Sequence, residues 1–583
     1  MTTAESGTEE RETRAERAAP GAEERPPVTE RLASATEENK PTVALAVSSD
    51  WPWFAAIVAL TFVFLAIAGY PRQWSLGLLV NDEFWYAHLA RSLYEGAGYV
   101  TNALHPIQAP RFDTFPVPEE MKQSGYSLIT AAAWLLTGVS VRVMLVIAAA
   151  GMALFSGMIF LLARHLGWGR GIASFIAAVT VVNPVVVRFG VGALPESLYF
   201  AFFTLIVLLV LRGTSRSVVG AAALNAALIV IKGHGIIYVP VFVGYLWLSG
   251  AGSLAAGFRP DGRKLRVAAT YVGVLLLTLV VAAVVLPDGA VQIFEASGTY
   301  SHTLMIETGR STSTLAYREI APVDPWTYIL EHPAEYVEKV ARQVRRTKVI
   351  LEDLGGPALG GILFPCLLLC GILLLASAGG ARDILPDSPV PPRDAEPYLL
   401  FAALVAMTFL FFWPLYVVTR FFVQTLPLMV LLCMYVLARL ATLARGVAPR
   451  LRTTLAAAAV VYFVAYPAAA TVWVSYRNPL QYVGTQLAVR FLDFSRMSGN
   501  VRDRLPADPV IVTDMAHEIT WFTGARTILF PNTEADLERL VEQYDVDALY
   551  EHPLNGRDWP SIRERFTLVD SADGFLWVRR RAP

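Results

Sequence analysis

The sequence predicts a polytopic α-helical membrane protein with about eleven transmembrane helices, followed by a small extracytoplasmic α/β domain. Three observations predict this. Hydrophobic residues make up 55% of the 583 residues, above the roughly 45–50% of soluble globular domains, and mean hydropathy is +0.47. Eleven separate apolar segments approach the ~20 residues that a helix needs to cross a bilayer. From 475 to 583 the pattern changes to short β-rich runs alternating with an amphipathic stretch, as in a small α/β domain.

Residues 1–46 are rich in Glu, Arg, Thr, Ala and Pro. They hold too little apolar surface to offset the entropy of ordering, so they are expected to form a disordered cytoplasmic tail. No short basic segment leads directly into the apolar run 51–70, which is expected to stay as an anchor rather than to be cleaved as a signal peptide. Further spans are expected near 141–163, 171–187, 195–211, 217–232, 235–250, 267–287, 358–377, 397–417, 421–438 and 454–474. The stretch 124–138 is shorter and carries Ser, Tyr and Thr near its start, which suits a helix lying in the membrane interface.

The chain has 48 Lys and Arg against 49 Asp and Glu, a formal net charge of −1, so no broad basic field points to nucleic acid. The placement of charge is more telling. Short loops with Arg164 and Arg170; Arg212 and Arg216; Arg259, Arg263, Lys264 and Arg266; Arg382 and Arg393; and Arg439, Arg445, Arg450 and Arg452 all fall on one side if 124–138 does not cross. Basic short loops favour the cytoplasm. This places the N-terminus inside, and it places the loops 71–123 and 288–357, the Pro195-Glu196 turn, the Lys232-Gly233-His234-Gly235 turn and the C-terminal domain outside a plasma membrane. The transmembrane domain is then 47–474. Cys366, Cys370 and Cys433 all lie in apolar segments, where a free cysteine packs as a small hydrophobe.

In the C-terminal region, 509–513 reads as a strand followed by a short helix and the apolar run 527–530, and 546–550 reads as a further strand. Thr533 is placed to cap an amphipathic helix reaching Tyr544, with acids in its first turn. The runs 566–569 and 575–578 flank Ser571-Ala572-Asp573-Gly574 as a hairpin.

The most unusual stretch is Asn81-Asp82-Glu83-Phe84-Trp85-Tyr86-Ala87-His88-Leu89-Ala90-Arg91-Ser92-Leu93-Tyr94-Glu95-Gly96. Trp85, Leu89 and Leu93 share one helical stripe, and Gly96 can end the helix. Such a helix is expected on the outer membrane surface. Asp82 and Glu83 stand at its N-terminus, where the helix dipole favours negative charge; helix capping alone also accounts for acids there. His88, His105, His234 and His302 are scattered without metal-ligand spacing, so no metal site is supported. Gly167-Trp168-Gly169-Arg170-Gly171 follows a span rather than a strand and lacks the dinucleotide spacing.

The order Asp-Glu, aromatic, Tyr-Ala, Ala-Arg resembles the first-loop motif of the GT-C superfamily, in its protein O-mannosyltransferase and aminoarabinose-transferase branch. Three further elements follow in the same order: Leu194-Pro195-Glu196-Ser197-Leu198, Ile231-Lys232-Gly233-His234-Gly235, and Thr419-Arg420-Phe421-Phe422 with Pro427. The resemblance spans about 71–474. It departs at Phe421, where the family often has Tyr, and at Lys232, where it often has Arg. Lys meets a phosphate as a point charge rather than as a bidentate fork.

The resemblance implies an inverting glycosyltransferase that uses a polyprenyl-phosphate sugar and an acceptor hydroxyl in glycan, lipid or protein. It implies Asp82 as general base, with Glu83 holding the acceptor or the local structure. Lys232 and Arg420 would stabilise the departing lipid phosphate, and Glu196 and His234 are the other expected substrate-binding residues. Only six of the 48 basic residues are lysine, a bias common in GC-rich bacterial genomes, for which the carrier would be a decaprenyl or undecaprenyl phosphate. A transporter is the alternative class, although transporters place ionisable groups and broken helices near the bilayer midplane. A non-catalytic envelope scaffold is the other.

Overall fold

The structure, a computed structural model, describes residues 43–68, 77–78, 81–249, 262–285, 325–378, 396–414, 419–443, 449–477, 504–551, 559–570 and 575–580. The chain divides into two compact units, Met1–Pro52 and Trp53–Pro583. The expected N-terminal tail lies outside the described residues except for 43–46, which open a helix.

Helices occupy described residues in all eleven apolar segments and several stretches between them. In chain order these are α1 (Val43–Ala68), α2 (Asn81–Tyr94), α3 (Gly125–Thr137), α4 (Val141–His165), α5 (Arg170–Val181), α6 (Pro184–Val191), α7 (Glu196–Arg212), α8 (Ser215–Ile231), α9 (Val239–Leu248), α10 (Gly262–Val285), α11 (Pro325–Glu331), α12 (Pro333–Ala378), α13 (Glu396–Phe412), α14 (Leu426–Leu443), α15 (Pro449–Val460) and α16 (Tyr466–Arg477). Among the described residues, five helices are long and apolar enough to cross a membrane, with several shorter apolar ones beside them. The chain is a polytopic helical membrane protein. Helix α3 has 13 residues, a length of ~20 Å at 1.5 Å per residue, which is short of the ~30 Å hydrocarbon core.

Two expectations change. The segment 171–187 is not one straight helix, because α5 and α6 meet at a 69° bend. Asn183 starts a new helix there: its side chain accepts from the Val185 amide, and Pro184 occupies the first turn, where a missing N–H costs nothing. The part of 288–357 that is described is also helical rather than loop. α12 begins at Pro333 and continues until Gly356, whose φ of 59° breaks it before the apolar run resumes. Lys339, Gln343, Ile350, Leu351 and Leu354 are buried, a stripe at helical spacing.

The largest apolar core joins α4, α7, α8 and α14 through side chains such as Phe155, Phe200, Phe203, Leu228 and Met429. A second core lies where α2 meets the C-terminal domain, with Phe84, Tyr86, Ala87 and Ala90 packed among Tyr126, Leu145, Leu194, Ile511, Met515 and Trp521. Helix α2 is therefore not laid on an open surface. Nine of its residues, from Glu83 to Ala90 together with Ser92, are buried, because it carries apolar groups on two sides. It ends as expected: Gly96 takes φ 79°, with Ala97 N–H donating to Ser92 O and Gly96 N–H to Leu93 O, a Schellman closure.

The first loop adds three short strands, β1 (Val100–Thr101), β2 (Ala103–Leu104) and β3 (Val117–Pro118). The C-terminal domain contributes β4 (Val510–Thr513), α17 (Ala516–Thr523), β5 (Arg526–Leu529), α18 (Glu534–Tyr544), β6 (Ala548–Glu551), α19 (Pro560–Arg565), β7 (Phe566–Asp570) and β8 (Phe575–Arg579). Thr533 caps α18 by accepting from the Asp536 amide. The sheet order is β2-β5-β4-β6-β8-β7. Strands β2, β5, β4 and β6 run parallel, and β8 and β7 close the sheet as an antiparallel pair. The division at 475 thus does not separate the sheet, whose edge strand β2 comes from the first loop. Leu104 is buried with Val512, Ile528 and Phe530, and a two-residue strand shows no alternation by which a sequence could announce it.

Close helix packing depends on particular glycines. A Cβ on Gly125 would lie 2.8 Å from both Ile231 N and Val230 O, backbone atoms that cannot rotate away, whereas one on Gly244 in α9 meets nothing within 4 Å. Gly125→Ala is expected to destabilise the protein by about 1–3 kcal/mol through overpacking, and Gly244→Ala is expected to leave it unchanged or slightly firmer. Thermal denaturation of both variants in detergent checks this, and equal melting temperatures would contradict the packing.

Candidate active site

The N-terminus of α2 brings Asp82 to the end of the helical bundle, and two cations meet it there. Lys122 Nζ is 2.8 Å from Oδ1 and Arg420 Nη1 is 2.8 Å from Oδ2. Lys122 comes from the first loop, 40 residues on, and Arg420 from a 3-10 turn, Thr419–Phe421, 338 residues on. Burial disfavours the charged carboxylate, but the two cations and their hydrogen bonds outweigh it and hold the carboxyl far below the usual range. In this arrangement Asp82 is ionised and weakly basic.

A second ion pair stands beside the first. Lys232 Nζ lies 2.9 Å from Glu196 Oε1, with the side chains only 13% and 4% exposed. Glu196 opens α7 immediately after Pro195, and Lys232 terminates α8. Asp82 and Arg420 act electrostatically on both members of this pair. Three cations and two carboxylates therefore converge from distant parts of the chain, with the Glu119 carboxyl also within electrostatic reach of Lys122.

Phe421 supports the cluster. Its ring stacks on Phe412 at 4.6 Å, the His234 ring meets its edge at 5.0 Å, and Lys232 Nζ and Arg420 Cζ lie 5.5 and 5.2 Å from its centroid. His234 is thus packed among Phe411, Phe412 and Phe421, next to the cations rather than between them. Cations over an aromatic face gain electrostatic stabilisation.

Glu83, adjacent in sequence to Asp82, faces elsewhere. It is 1% exposed and accepts from the Ala193 amide at 2.8 Å. A Cβ on Gly192 would sit 2.7 Å from Glu83 Oε1, so glycine is what allows the carboxylate to approach this turn. Glu83 thus contacts the turn that precedes Glu196.

Sequence reasoning overlooked Lys122. It is one of only six lysines and stands in the loop after the Asp-Glu pair, and that rarity was the one signal. The short helix expected after 509–513 is α17, and what the sequence did not reveal is that it folds onto this site. It places His517 against Trp85 and a buried carboxyl, Glu518, within electrostatic reach of Asp82. Glu518 Oε2 has no hydrogen-bond partner among the described residues, and burial pushes the carboxyl up to about 8. His105 and His517 meet at 3.1 Å between their Nε2 atoms, a pairing that sequence spacing does not reveal. Among the described residues no group of three or more His, Cys, Asp or Glu side chains is placed to hold a metal ion.

Two outcomes are expected. Lys232→Met leaves Glu196 buried and unpaired, which destabilises the protein by about 3–5 kcal/mol. Adding Glu196→Gln recovers part of the loss, as melting temperatures of the single and double variants will show. The raised carboxyl of Glu518 means that the folded state holds its proton to about pH 8 while the unfolded chain releases it near 4.5. Its contribution therefore weakens as pH rises between those values and is level above them. Relative to wild type, Glu518→Gln should gain stability progressively from pH 5 to pH 8; a pH-independent difference would contradict this.

No family model matches the sequence, and no curated protein matches it. Among solved structures, the chain is similar to ArnT from Cupriavidus metallidurans bound to undecaprenyl phosphate, with 15% identity over 92% of this chain and 98% of that one and a TM-score of 0.48. It is similar to the same protein in the apo state, with 15% identity over 91% and 98% and a TM-score of 0.49. At such identity and score, the chemistry of this site has to be read from its own side chains.

Proposed function

We propose that the protein is a glycosyltransferase of the GT-C type that moves a sugar from a polyprenyl-phosphate donor to an acceptor hydroxyl at the extracytoplasmic membrane face. The observation that carries this reading is the Asp82 carboxylate bracketed by Lys122 and Arg420, with Lys232 alongside. A carboxylate shared between two cations, with a third cation alongside, suits a reaction in which one group loses a proton and another departs as an anion.

In the proposed reaction the acceptor oxygen attacks the anomeric carbon. The bond from that carbon to the phosphate oxygen breaks, the lipid phosphate leaves with the electron pair, and the acceptor proton passes to Asp82. A single displacement inverts the anomeric centre, by analogy with inverting glycosidases. Lys122, Arg420 and Lys232 stabilise the charge that develops on the phosphate. The ion pairs also explain how a weakly basic Asp82 becomes a base. A phosphate competing for Lys122 and Arg420 takes from Asp82 the two charges that depress its proton affinity, so arrival of the donor raises the basicity of the group that must act next. Glu196 keeps Lys232 charged and in place, and His234 lines the same end of the bundle.

The test uses the full chain in detergent with a panel of polyprenyl-phosphate sugars and envelope acceptors. Wild type is expected to consume one donor class, and Asp82→Asn to be slower by about a hundredfold or more, the scale of a lost general base, when assayed below its melting temperature, which loss of the two ion pairs lowers. Consumption of no donor, or equal rates in the two proteins, contradicts the proposal.

A further inference from the structure

Lys122 presents a physical problem. It is a long, flexible side chain on a turn of the first loop, and fixing such a side chain costs up to ~2 kcal/mol of rotamer entropy, yet its ammonium is held at 2.8 Å from Asp82. We infer that the C-terminal domain fixes Lys122 against Asp82 through a chain of contacts that runs from His517 through Trp85 and Glu119, making these three positioning residues for the site. The inference rests on the proposed function insofar as Lys122 and Asp82 belong to the reaction centre; the contacts themselves do not.

Each link is short. Glu119 is fully buried and its Oε1 accepts from the amides of Met121 at 2.6 Å and Lys122 at 3.0 Å, which closes the turn that carries the lysine. Its Oε2 accepts from Trp85 Nε1 at 2.7 Å. The Trp85 ring also lies 4.5 Å from Lys122 Nζ, so one indole governs both the backbone and the head of the lysine. His517, at the start of α17, stacks on that indole at 4.0 Å with an 18° interplanar angle, and His105 stacks on it at 4.7 Å.

The two imidazoles are joined at 3.1 Å, and His105 follows directly on β2, the strand the loop lends to the C-terminal sheet. The domain grips the loop again further on, where Gln543 Nε2 and Tyr544 Oη donate to Ala109 O at 3.0 and 3.3 Å. A continuous set of packed rings and hydrogen bonds thus links the domain to the Asp82 ion pair. If this linkage sets the lysine, weakening a middle link frees Lys122 while leaving the bundle and the Lys232–Glu196 pair untouched.

The experiment labels the detergent-solubilised full chain with an amine-reactive reagent and reads each lysine by mass spectrometry in wild type, Trp85→Phe, His517→Phe and Glu119→Gln. Trp85→Phe keeps an aromatic ring at this position but removes the donor to Glu119 and part of the surface that His517 and Lys122 pack against. The expected result is Lys122 labelling about fivefold faster in the variants, the factor for one lost hydrogen bond, with Lys232 unchanged as the internal control. Combining Trp85→Phe with Glu119→Gln should add little beyond either alone, as for two members of one linkage, and the donor KM should rise with Lys122 reactivity.

Lys122 labelling at the wild-type rate in Trp85→Phe overturns the inference. If His517→Phe also exposes Lys232, that variant reports unfolding, and Trp85→Phe alone decides. Faster Lys122 labelling in a protein whose wild type consumes no donor upholds the positioning chain while the glycosyltransferase reading falls.

Discussion

The double ion pair at Asp82 is the constraint around which the rest of the structure is arranged. One carboxylate holds together the start of α2, the end of the first loop and the 3-10 turn before α14, three places separated by 40 and 338 residues of chain. Each of those places is in turn fixed by something larger. Helix α2 is clamped between the bundle and the C-terminal domain, the loop is stitched into the C-terminal sheet through β2, and the 3-10 turn is locked by Phe421 against Phe412 and His234. Loss of the carboxylate would leave cations facing one another, which is why geometry from such distant segments converges on this point.

The same arrangement explains a site that is charged yet well buried. Taking charges out of water is costly, and it is tolerated where opposite charges and hydrogen bonds compensate. Here three cations stand around Asp82 and Glu196. In the proposed reaction, exchange of a protein carboxylate for a phosphate as partner of Lys122 and Arg420 links substrate arrival to chemistry. The neutral, buried carboxyl of Glu518 near Asp82 fits the same electrostatic economy, because a second ionised acid there would work against the phosphate.

Much of this was legible in the sequence, and the reasons differ by element. The spans were readable because apolar length is a one-dimensional property, and α2 was readable through its stripe and its terminating Gly96. The capped helix after Thr533 followed from local chemistry alone. The bend at Asn183 was also local, an Asn-Pro start inside an apolar run, and was masked by the hydropathy around it. What escaped was long-range. Strand β2 has two residues and acquires its identity only by pairing with β5. His517 becomes part of the site only because α17 folds onto Trp85, and Lys122 only because Glu119 turns its backbone. Asp82 and Glu83 show the limit most clearly. Adjacent at one helix start, they face different partners, Asp82 the cations and Glu83 the Ala193 amide, and helix capping chemistry alone does not distinguish them.

The central claim is that Asp82 surrenders its cations to the lipid phosphate. A structure of the protein with a polyprenyl phosphate bound tests it most directly, through the distances from Asp82 to Lys122 and Arg420. The account predicts that at least one of these ion pairs opens beyond about 4 Å, the limit of an ion-pair contact, and that the freed cation lies against the phosphate. A phosphate bound away from the cluster, with both Asp82 pairs intact, would contradict it.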